Sequence, residues 1–122
     1  MKYRSNKAIG TEFENEMVDY LKKNRWWVHF IAPAANGSQP FDIIAVKGGK
    51  SLAADCKTSS RKIFAITRLE ENQVMAFEYW LACGNDMPLV FIKYNNHAYS
   101  VPYSLLKREG SIDIEAEAEF LY

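Results

Sequence analysis

The feature that most constrains the fold is a pair of apolar segments joined by two glycines. Residues 41–46 and 51–57 are predominantly apolar, and Gly48-Gly49 lies in the short connection between them. Paired glycines readily adopt the positive φ angles of a two-residue hairpin turn. The segments therefore predict two antiparallel strands that lie side by side in a sheet.

Helical and strand-like patterns surround this hairpin in a chain of 122 residues, a length that suits one domain. Apolar residues recur at helical spacing over residues 5–24 and again over residues 68–83, where Thr67 and Glu70 predict a capping box. Further strands are predicted over residues 26–31, 89–94 and 98–102. The resulting order, α-β-β-β-α-β-β, predicts an α/β fold with a central mixed β-sheet flanked by helices.

Two carboxylates and a lysine meet at one edge of the predicted sheet. Asp55 and Lys57 are two residues apart on one strand and project from the same face, whereas Ala54 and Cys56 face the other way. Asp42 opens the neighbouring strand near the same end. Adjacent carboxylates repel each other and raise the pKa of one of them, and a divalent cation removes this conflict. Mg²⁺ binds one or two carboxylates together with a substrate phosphate, so the grouping predicts metal-assisted hydrolysis of a phosphodiester.

Lys57 has a predicted role beside that cation. Its ammonium group can orient the attacking water or neutralise charge that builds up on the phosphate. The tripeptide Asp55-Cys56-Lys57 is weak evidence alone, because an acidic residue two positions before a lysine is common by chance. A solvated Asp–Lys pair on an edge strand is the alternative interpretation.

The residues around this tripeptide resemble a known motif. Pro40-Phe41-Asp42, followed after twelve residues by Asp55-Cys56-Lys57, is similar to the PD-(D/E)xK motif of restriction-endonuclease-like nucleases. The pattern is most similar to that of archaeal-type Holliday junction resolvases, and the resemblance covers residues 9–93. Two positions depart from it: Phe41 interrupts the Pro-Asp pair, and Asp55 stands where that subfamily usually has Glu.

The resemblance implies an activity, a cofactor and a partner. The implied activity is that of a metal-dependent, structure-selective DNA endonuclease that resolves four-way junctions with Mg²⁺ or Mn²⁺. A homodimer is implied because a junction presents two symmetric strands to cut. The implied catalytic residues are Glu14, Asp42, Asp55, Lys57 and Gln73, and the implied metal ligands are Asp42, Asp55, Glu14 and the backbone carbonyl of Cys56. Cleavage of flaps, nicks or ends, and a non-catalytic DNA-binding or assembly protein on the same scaffold, are the alternatives.

Glu14, the acidic residue that the resemblance places in the first helix, has a second interpretation. Gly10 four positions before Glu14 matches the family pattern, and Glu12 is the other choice for the acid. If the helix begins at Thr11, then Thr11 and Glu14 form a capping box. On the longer helix, Glu14 lies at the edge of the apolar stripe and reaches toward the sheet edge. Gly10 inside a helix costs about 1 kcal/mol relative to alanine, so we expect a later helix start or close packing at this glycine.

Gln73 lies on the predicted buried face of the second helix, four residues after Leu69 and four before Phe77. A buried amide needs hydrogen-bond partners. We therefore expect the active-site carboxylates or Lys57 to supply them.

Basic residues just past the motif are the predicted DNA contacts. Arg61, Lys62 and Arg68, with Ser38 in the loop before Asp42, are predicted to contact phosphates. We expect recognition through phosphates and DNA shape rather than through base edges. A solvated basic face is the alternative interpretation.

The charge distribution is compatible with a polyanionic partner, although the net charge is zero. Residues 109–122 hold five acidic side chains and no Lys or Arg, which leaves residues 1–108 with 15 basic and 10 acidic side chains. We predict a nuclease domain over residues 1–108 and, within the same domain, an acidic tail over residues 109–122. The tail alternates like a strand and fits an edge strand, a dimer element or a mimic of DNA charge.

Cysteine, tryptophan and hydropathy patterns predict an ordinary intracellular protein. Cys56 and Cys83 form no C-x-x-C pair and are expected to be reduced thiols. Trp26, Trp27 and Trp80 are expected in the core. No apolar run reaches the about 20 residues of a bilayer-spanning helix, so we expect no membrane partner and a cytoplasmic location.

Overall fold

Helices and strands alternate along the chain, of which the computed structural model describes residues 6–33, 35–36 and 39–122. In chain order the elements are α1 (Asn6–Lys23), β1 (Trp27–Phe30), β2 (Ile43–Lys47), β3 (Lys50–Ser59), β4 (Ile63–Ala65), a 3₁₀ turn (Ile66–Arg68), α2 (Glu71–Ala82), β5 (Leu89–Tyr94), β6 (His97–Pro102), α3 (Tyr103–Glu109), β7 (Ser111–Asp113), α4 (Ile114–Glu117) and β8 (Glu119–Phe120). None of the helices described is both long and apolar enough to cross a membrane.

Within the described residues, six strands form one mixed sheet in the order β1-β2-β3-β5-β6-β8. β3 and β5 run parallel, and the other neighbouring strands run antiparallel. A parallel pair needs a long crossover connection, which contains α2. β4 and β7 pair separately as a small second sheet. The predicted mixed sheet flanked by helices is confirmed.

Different helices cover the two faces of the main sheet. α1 covers one face, where Phe13 packs in a cluster with Leu52 and Ala54 of β3. α2 and α3 cover the other face, where Phe77 packs in a cluster with Ala53 of β3. β3 is therefore enclosed on both sides, and it carries the charged tripeptide into the interior of the protein.

The hairpin between β2 and β3 forms as the two glycines predict. Lys47 pairs with Lys50 at its end. Gly48 and Gly49 have φ angles of 54° and 82°, the left-handed conformation that a side chain disfavours. The turn sets the register that brings the beginning of β2 beside the second half of β3.

The structure corrects the expectations for the starts of both helices. α1 is continuous through Gly10, and a Cβ built there meets no described atom within 4 Å, so neither a later start nor close packing accounts for this glycine. α2 begins at Glu71, because the backbone N–H of Glu70 donates to the side chain of Gln73 in a capping box. The predicted box of Thr67 and Glu70 is wrong, since Thr67 lies in the 3₁₀ turn.

The C-terminal residues form elements that the sequence pattern did not predict. In place of one strand-like run over the tail, residues 109–122, the structure has β7, α4 and β8, and α3 precedes them. β7 pairs with β4, and β8 pairs with β6 at the edge of the main sheet. Ile112 and Ile114 are buried in the core under α2. The division of the chain at residue 108 stays a prediction.

Trp27 is not in the core, contrary to expectation. Its side chain is 62% exposed on the edge strand β1. Trp26 and Val28 pack with the α1 cluster, so strand alternation turns Trp27 to the opposite side of the sheet. Trp80 packs against the other cluster, as expected.

Two glycine substitutions should change stability in opposite directions. Gly49→Ala should lower the free energy of unfolding by about 1–2 kcal/mol, because alanine disfavours the left-handed backbone. Gly10→Ala should raise it by about 0.5–1 kcal/mol, because the added Cβ meets open space within a helix. Urea denaturation measures both, and changes of the same sign would contradict this account of the two positions.

Candidate active site

β3 directs its charged side chains toward α2. Leu52 and Ala54 pack with α1, and Ala53 packs in the core under α2. Because side chains alternate along a strand, Asp55 and Lys57 share one face, as predicted, and this face is the one that α2 covers.

Asp42 is held just before β2 by two hydrogen bonds to β3. Its backbone N–H donates to the carbonyl oxygen of Ala54 at 3.0 Å. Its carboxylate Oδ2 accepts from the backbone N–H of Cys56 at 2.7 Å, and the residue is only 8% exposed. The strand pairing thus fixes Asp42 next to the charged tripeptide, where the hairpin register predicts it.

Gln73 joins the charged residues of β3 to the first turn of α2. Its Nε2 donates to Asp55 Oδ1 at 2.8 Å. Its Oε1 accepts from Lys57 Nζ at 3.2 Å and from the backbone N–H of Glu70 at 2.9 Å. The expectation that a buried Gln73 needs these partners is confirmed, and the same amide also closes the capping box of α2.

The ionised form of Asp55 is destabilised because its carboxylate is almost fully buried. It is 1% exposed, and its Oδ2 forms an ion pair with Lys57 Nζ at 3.0 Å but has no hydrogen-bond partner among the described residues. Burial, followed by the charge of Asp42, raises the pKa of Asp55 to about 8, against the opposing effect of Lys57. Asp55 Oδ2 therefore has a positive charge beside it but no hydrogen-bond donor among the described residues.

Glu14 approaches the same cluster from α1. The continuous helix excludes a capping box with Thr11, so the interpretation on the longer helix applies. Burial and the charge of Asp42 raise the pKa of Glu14 to about 7, and Lys57 opposes this. Glu14 is thus close enough to Asp42 and Lys57 to interact with them, whereas Glu12 is exposed.

These side chains fit a divalent cation. Asp55 lies close to Asp42, and the two carboxylates repel each other when both are ionised. Among the described residues, no group of three His, Cys, Asp or Glu side chains is placed to hold a metal ion without further ligands. Mg²⁺ is suited to such an open arrangement, because it keeps several waters and takes one or two carboxylates together with phosphate oxygens.

Cys56 contributes its backbone to this cluster rather than its thiol. Its N–H binds Asp42, and its half-buried side chain packs with the α1 cluster. Burial raises the pKa of the thiol well above its usual value, so it stays protonated and is a poor ligand. Both Cys56 and Cys83 are free, as expected, and the metal contact of the Cys56 carbonyl stays a prediction.

The predicted phosphate contacts lie just beyond Lys57 along the chain. A cleft of about 300 Å³ is lined in part by Ser59, Arg61, Thr67 and Arg68. Arg68 is oriented by a hydrogen bond to the carbonyl oxygen of Thr58 at 2.8 Å and lies over the ring of Phe64.

The other two predicted phosphate contacts are placed differently. The side chain of Lys62 pairs with Asp113 of the tail at 3.7 Å, and both groups are solvent-accessible. Ser38 lies outside the described residues. The structure therefore brings together Arg61 and Arg68, whereas Lys62 shares its charge with the acidic tail.

Two contacts near the site were not predicted from the sequence. Phe41, which interrupts the Pro-Asp pair, is buried against the rings of Phe77 and Trp80, each with a centroid distance of 5.8 Å. Asn72 Nδ2 donates to the carbonyl oxygen of Gln39 at 2.9 Å. The apolar side chain of Phe41 was a signal for the first contact, but nothing in the sequence pairs Asn72 with Gln39.

Comparisons with known proteins agree on one group. A sequence profile of the family described as archaeal Holliday junction resolvase (Hjc) matches residues 5–120. The crossover junction endodeoxyribonuclease Hjc of Methanocaldococcus jannaschii is 29% identical over 109 residues, which cover 89% of this chain and 74% of that protein. The structure of Archaeoglobus fulgidus Hjc, a Holliday junction resolvase, matches with a TM-score of 0.71 at 23% identity, covering 91% of this chain and 95% of that one. The fold is therefore restriction-endonuclease-like, as the sequence predicts.

Replacing Asp55 with a neutral side chain should stabilise the folded protein, and more so at high pH than at low pH. The pKa of Asp55 is higher in the folded protein than in the unfolded chain. The free energy of unfolding therefore falls progressively as pH rises from about 4 to 8. In EDTA, Asp55→Asn should raise the melting temperature by about 5 °C or more at pH 8 and much less at pH 5.

Asp19→Asn is the matched control, because it removes an exposed carboxylate from α1. It should change the melting temperature little and equally at both pH values. If the gain in melting temperature for Asp55→Asn is no larger at pH 8 than at pH 5, then burial does not destabilise the ionised form of Asp55.

Proposed function

The chain belongs to the archaeal Holliday junction resolvase family, and we propose that it cuts four-way DNA junctions at the cluster of Glu14, Asp42, Asp55 and Lys57. It is an endodeoxyribonuclease of the restriction-endonuclease-like group. The observation that carries the site assignment is the buried Asp55, which is hydrogen-bonded by Gln73, ion-paired with Lys57 and adjacent to Asp42.

The proposed cofactor is Mg²⁺, or Mn²⁺ in its place. Asp42 and Asp55 would hold it, with Glu14 and the carbonyl oxygen of Cys56 as further ligands. The unsatisfied Oδ2 of Asp55 and the mutual repulsion of the carboxylates support this assignment. When bound, the cation polarises the scissile phosphate and lowers the pKa of a coordinated water.

Lys57 has a separate role in the proposed reaction. Its ammonium group is held at one end of the cluster by Asp55 and Gln73, which fixes it beside the position that a phosphate would occupy. There it would stabilise the negative charge that develops on the phosphate or orient the attacking water. Gln73 touches both partners and keeps the ion pair in one geometry. Glu14, with a pKa of about 7, can accept or release a proton near neutral pH.

DNA binding is proposed to involve the cleft beyond Lys57. Arg61 and Arg68 line it together with the hydroxyl groups of Ser59 and Thr67. Guanidinium groups and hydroxyls suit phosphate oxygens and carry no base sequence information. Recognition would therefore depend on the path of the backbone at the branch point, which differs between a junction and a linear duplex.

A homodimer is proposed because two strands of a junction must be cut symmetrically. The exposed side of α2 supports an interface, since Met75 and Tyr79 are 65% and 74% exposed there. These residues are four positions apart and so form one apolar patch on the helix. Two active sites in one assembly would make paired cuts during a single encounter with the junction.

The first test compares cleavage of a labelled immobile four-way junction with that of a matched linear duplex. With Mg²⁺ or Mn²⁺, we expect paired symmetric nicks in the junction only, and none in EDTA. Asp55→Asn should abolish cutting while junction binding persists, because the phosphate contacts are retained. Asp19→Asn is the control that should cut normally.

Each other outcome corrects a specific part of the proposal. Metal-dependent cutting of both substrates would leave a nuclease without junction selectivity. Nicking of one strand only would contradict the paired sites. Junction binding without cutting, under either metal, would replace the enzyme with a DNA-binding protein.

Arg68 should contribute to affinity for DNA of any sequence. Arg68→Ala should weaken binding to junction and duplex alike. It should also make the negative slope of log affinity against log salt shallower by about 0.9, the value for one phosphate that is no longer neutralised. Arg68→Lys should keep most of that slope, which separates removal of the charge from removal of the hydrogen bond to Thr58. Lys23→Ala, at the far end of α1, is the control. An unchanged salt slope for Arg68→Ala would exclude this contact.

A further inference from the structure

The first turn of α2 contacts both β3 and the segment that leads into β2. We propose that Asn72, in this turn, is a positioning residue for Asp42. It would act by holding the segment that leads into β2, without contacting DNA or metal itself. This inference rests on the proposed function, because it concerns the geometry of the same cluster.

The contact that carries the proposal joins distant parts of the chain. The side-chain amide of Asn72 donates to the backbone carbonyl oxygen of Gln39 at 2.9 Å in a partly buried environment. The two residues are 33 positions apart in sequence, whereas Gln39 is only three positions before Asp42. The hydrogen bond therefore ties α2 to the backbone immediately before the proposed metal ligand.

Asn72 and Gln73 are neighbours in the first turn of α2, and their side chains contact different parts of the candidate active site. Neighbouring residues on a helix point about 100° apart, so adjacent side chains can reach different elements. Gln73 binds Asp55 and Lys57 of β3, while Asn72 binds the segment before β2. The first turn of α2 thus contacts both Asp55 and the segment that leads to Asp42, and it adds to the hydrogen bonds that hold Asp42 on β3.

A second contact from the same helix supports this arrangement. Phe41 is clamped against the rings of Phe77 and Trp80, further along α2. Residues 39–42 are therefore fixed by an amide at Gln39, by packing at Phe41 and by the N–H of Cys56 at Asp42. Without the Asn72 amide, the segment loses the contact that holds it at Gln39, on the far side of Phe41 from Asp42. A small displacement of Asp42, a proposed metal ligand, weakens interactions mainly in the transition state. The cleavage rate should therefore fall more than the affinity for DNA.

The test measures single-turnover cleavage at saturating junction concentration. Asn72→Ala and Asn72→Asp should each cut about tenfold more slowly, because neither retains the amide donor. Asn72→Gln keeps a donor on a longer side chain and should recover part of the rate. Junction affinity should stay within about twofold of wild type for all three variants.

Asn85→Ala is the matched control. Asn85 also donates its side-chain amide to a backbone carbonyl, that of Trp80, but at the opposite end of α2. It should leave the cleavage rate unchanged. Hydrogen exchange gives a second readout that needs no activity: the backbone amides of Gln39, Phe41 and Asp42 should exchange faster in Asn72→Ala, and not in Asn85→Ala.

The outcomes separate this inference from the proposed function. Normal cutting by wild type with unchanged rates for the Asn72 variants would overturn only the positioning role. A drop in junction affinity in Asn72→Ala would also overturn it, because Asn72 would then be a DNA contact. If wild type cuts no junction, the proposed function fails, and the hydrogen-exchange comparison still decides whether Asn72 holds residues 39–42.

Discussion

The burial of Asp55 beside Asp42 is the constraint on which the rest of the structure depends. A desolvated carboxylate next to a second acid is unfavourable unless donors or cations compensate for it. Gln73 donates to Asp55 Oδ1, Lys57 forms an ion pair with Asp55 Oδ2, and the N–H of Cys56 donates to Asp42. The compensation is incomplete, since Asp55 Oδ2 has no hydrogen-bond donor among the described residues and its pKa rises to about 8. We infer that this incomplete compensation is what makes the cluster receptive to a cation.

Each layer of the fold contributes one part of that cluster. The β2–β3 hairpin brings Asp42 beside the charged tripeptide through its register. α2 supplies Gln73 from the crossover between two parallel strands, and α1 supplies Glu14 from the opposite face of the sheet. The site therefore needs the β2–β3 hairpin and both helices, and the local sequence near the tripeptide is insufficient to build it. This agrees with functional sites being the places where a protein accepts local strain that the surrounding structure offsets.

The sequence predicted the parts of the structure that depend on local periodicity. The hairpin, both long helices and the shared face of Asp55 and Lys57 follow from glycine pairs, apolar spacing and strand alternation. The partners of Gln73 were predictable too, because a buried amide on a helix stripe must be satisfied. The short elements after residue 102 were not, since β7 and β8 are only three and two residues long and exist through pairing with β4 and β6. The contact between Asn72 and Gln39 depends on how α2 crosses the sheet, which no local pattern encodes.

The most direct test of the central claim is calorimetric titration of Mn²⁺ into the protein without DNA, in two buffers of different ionisation enthalpy near pH 7. Raised pKa values mean that Asp55 and Glu14 must lose protons when a cation binds. The account predicts Mn²⁺ binding accompanied by proton release, with both abolished in Asp55→Asn and preserved in Asp19→Asn. Equal Mn²⁺ affinity and equal proton release in Asp55→Asn would contradict it, because the cation would then bind somewhere other than this cluster.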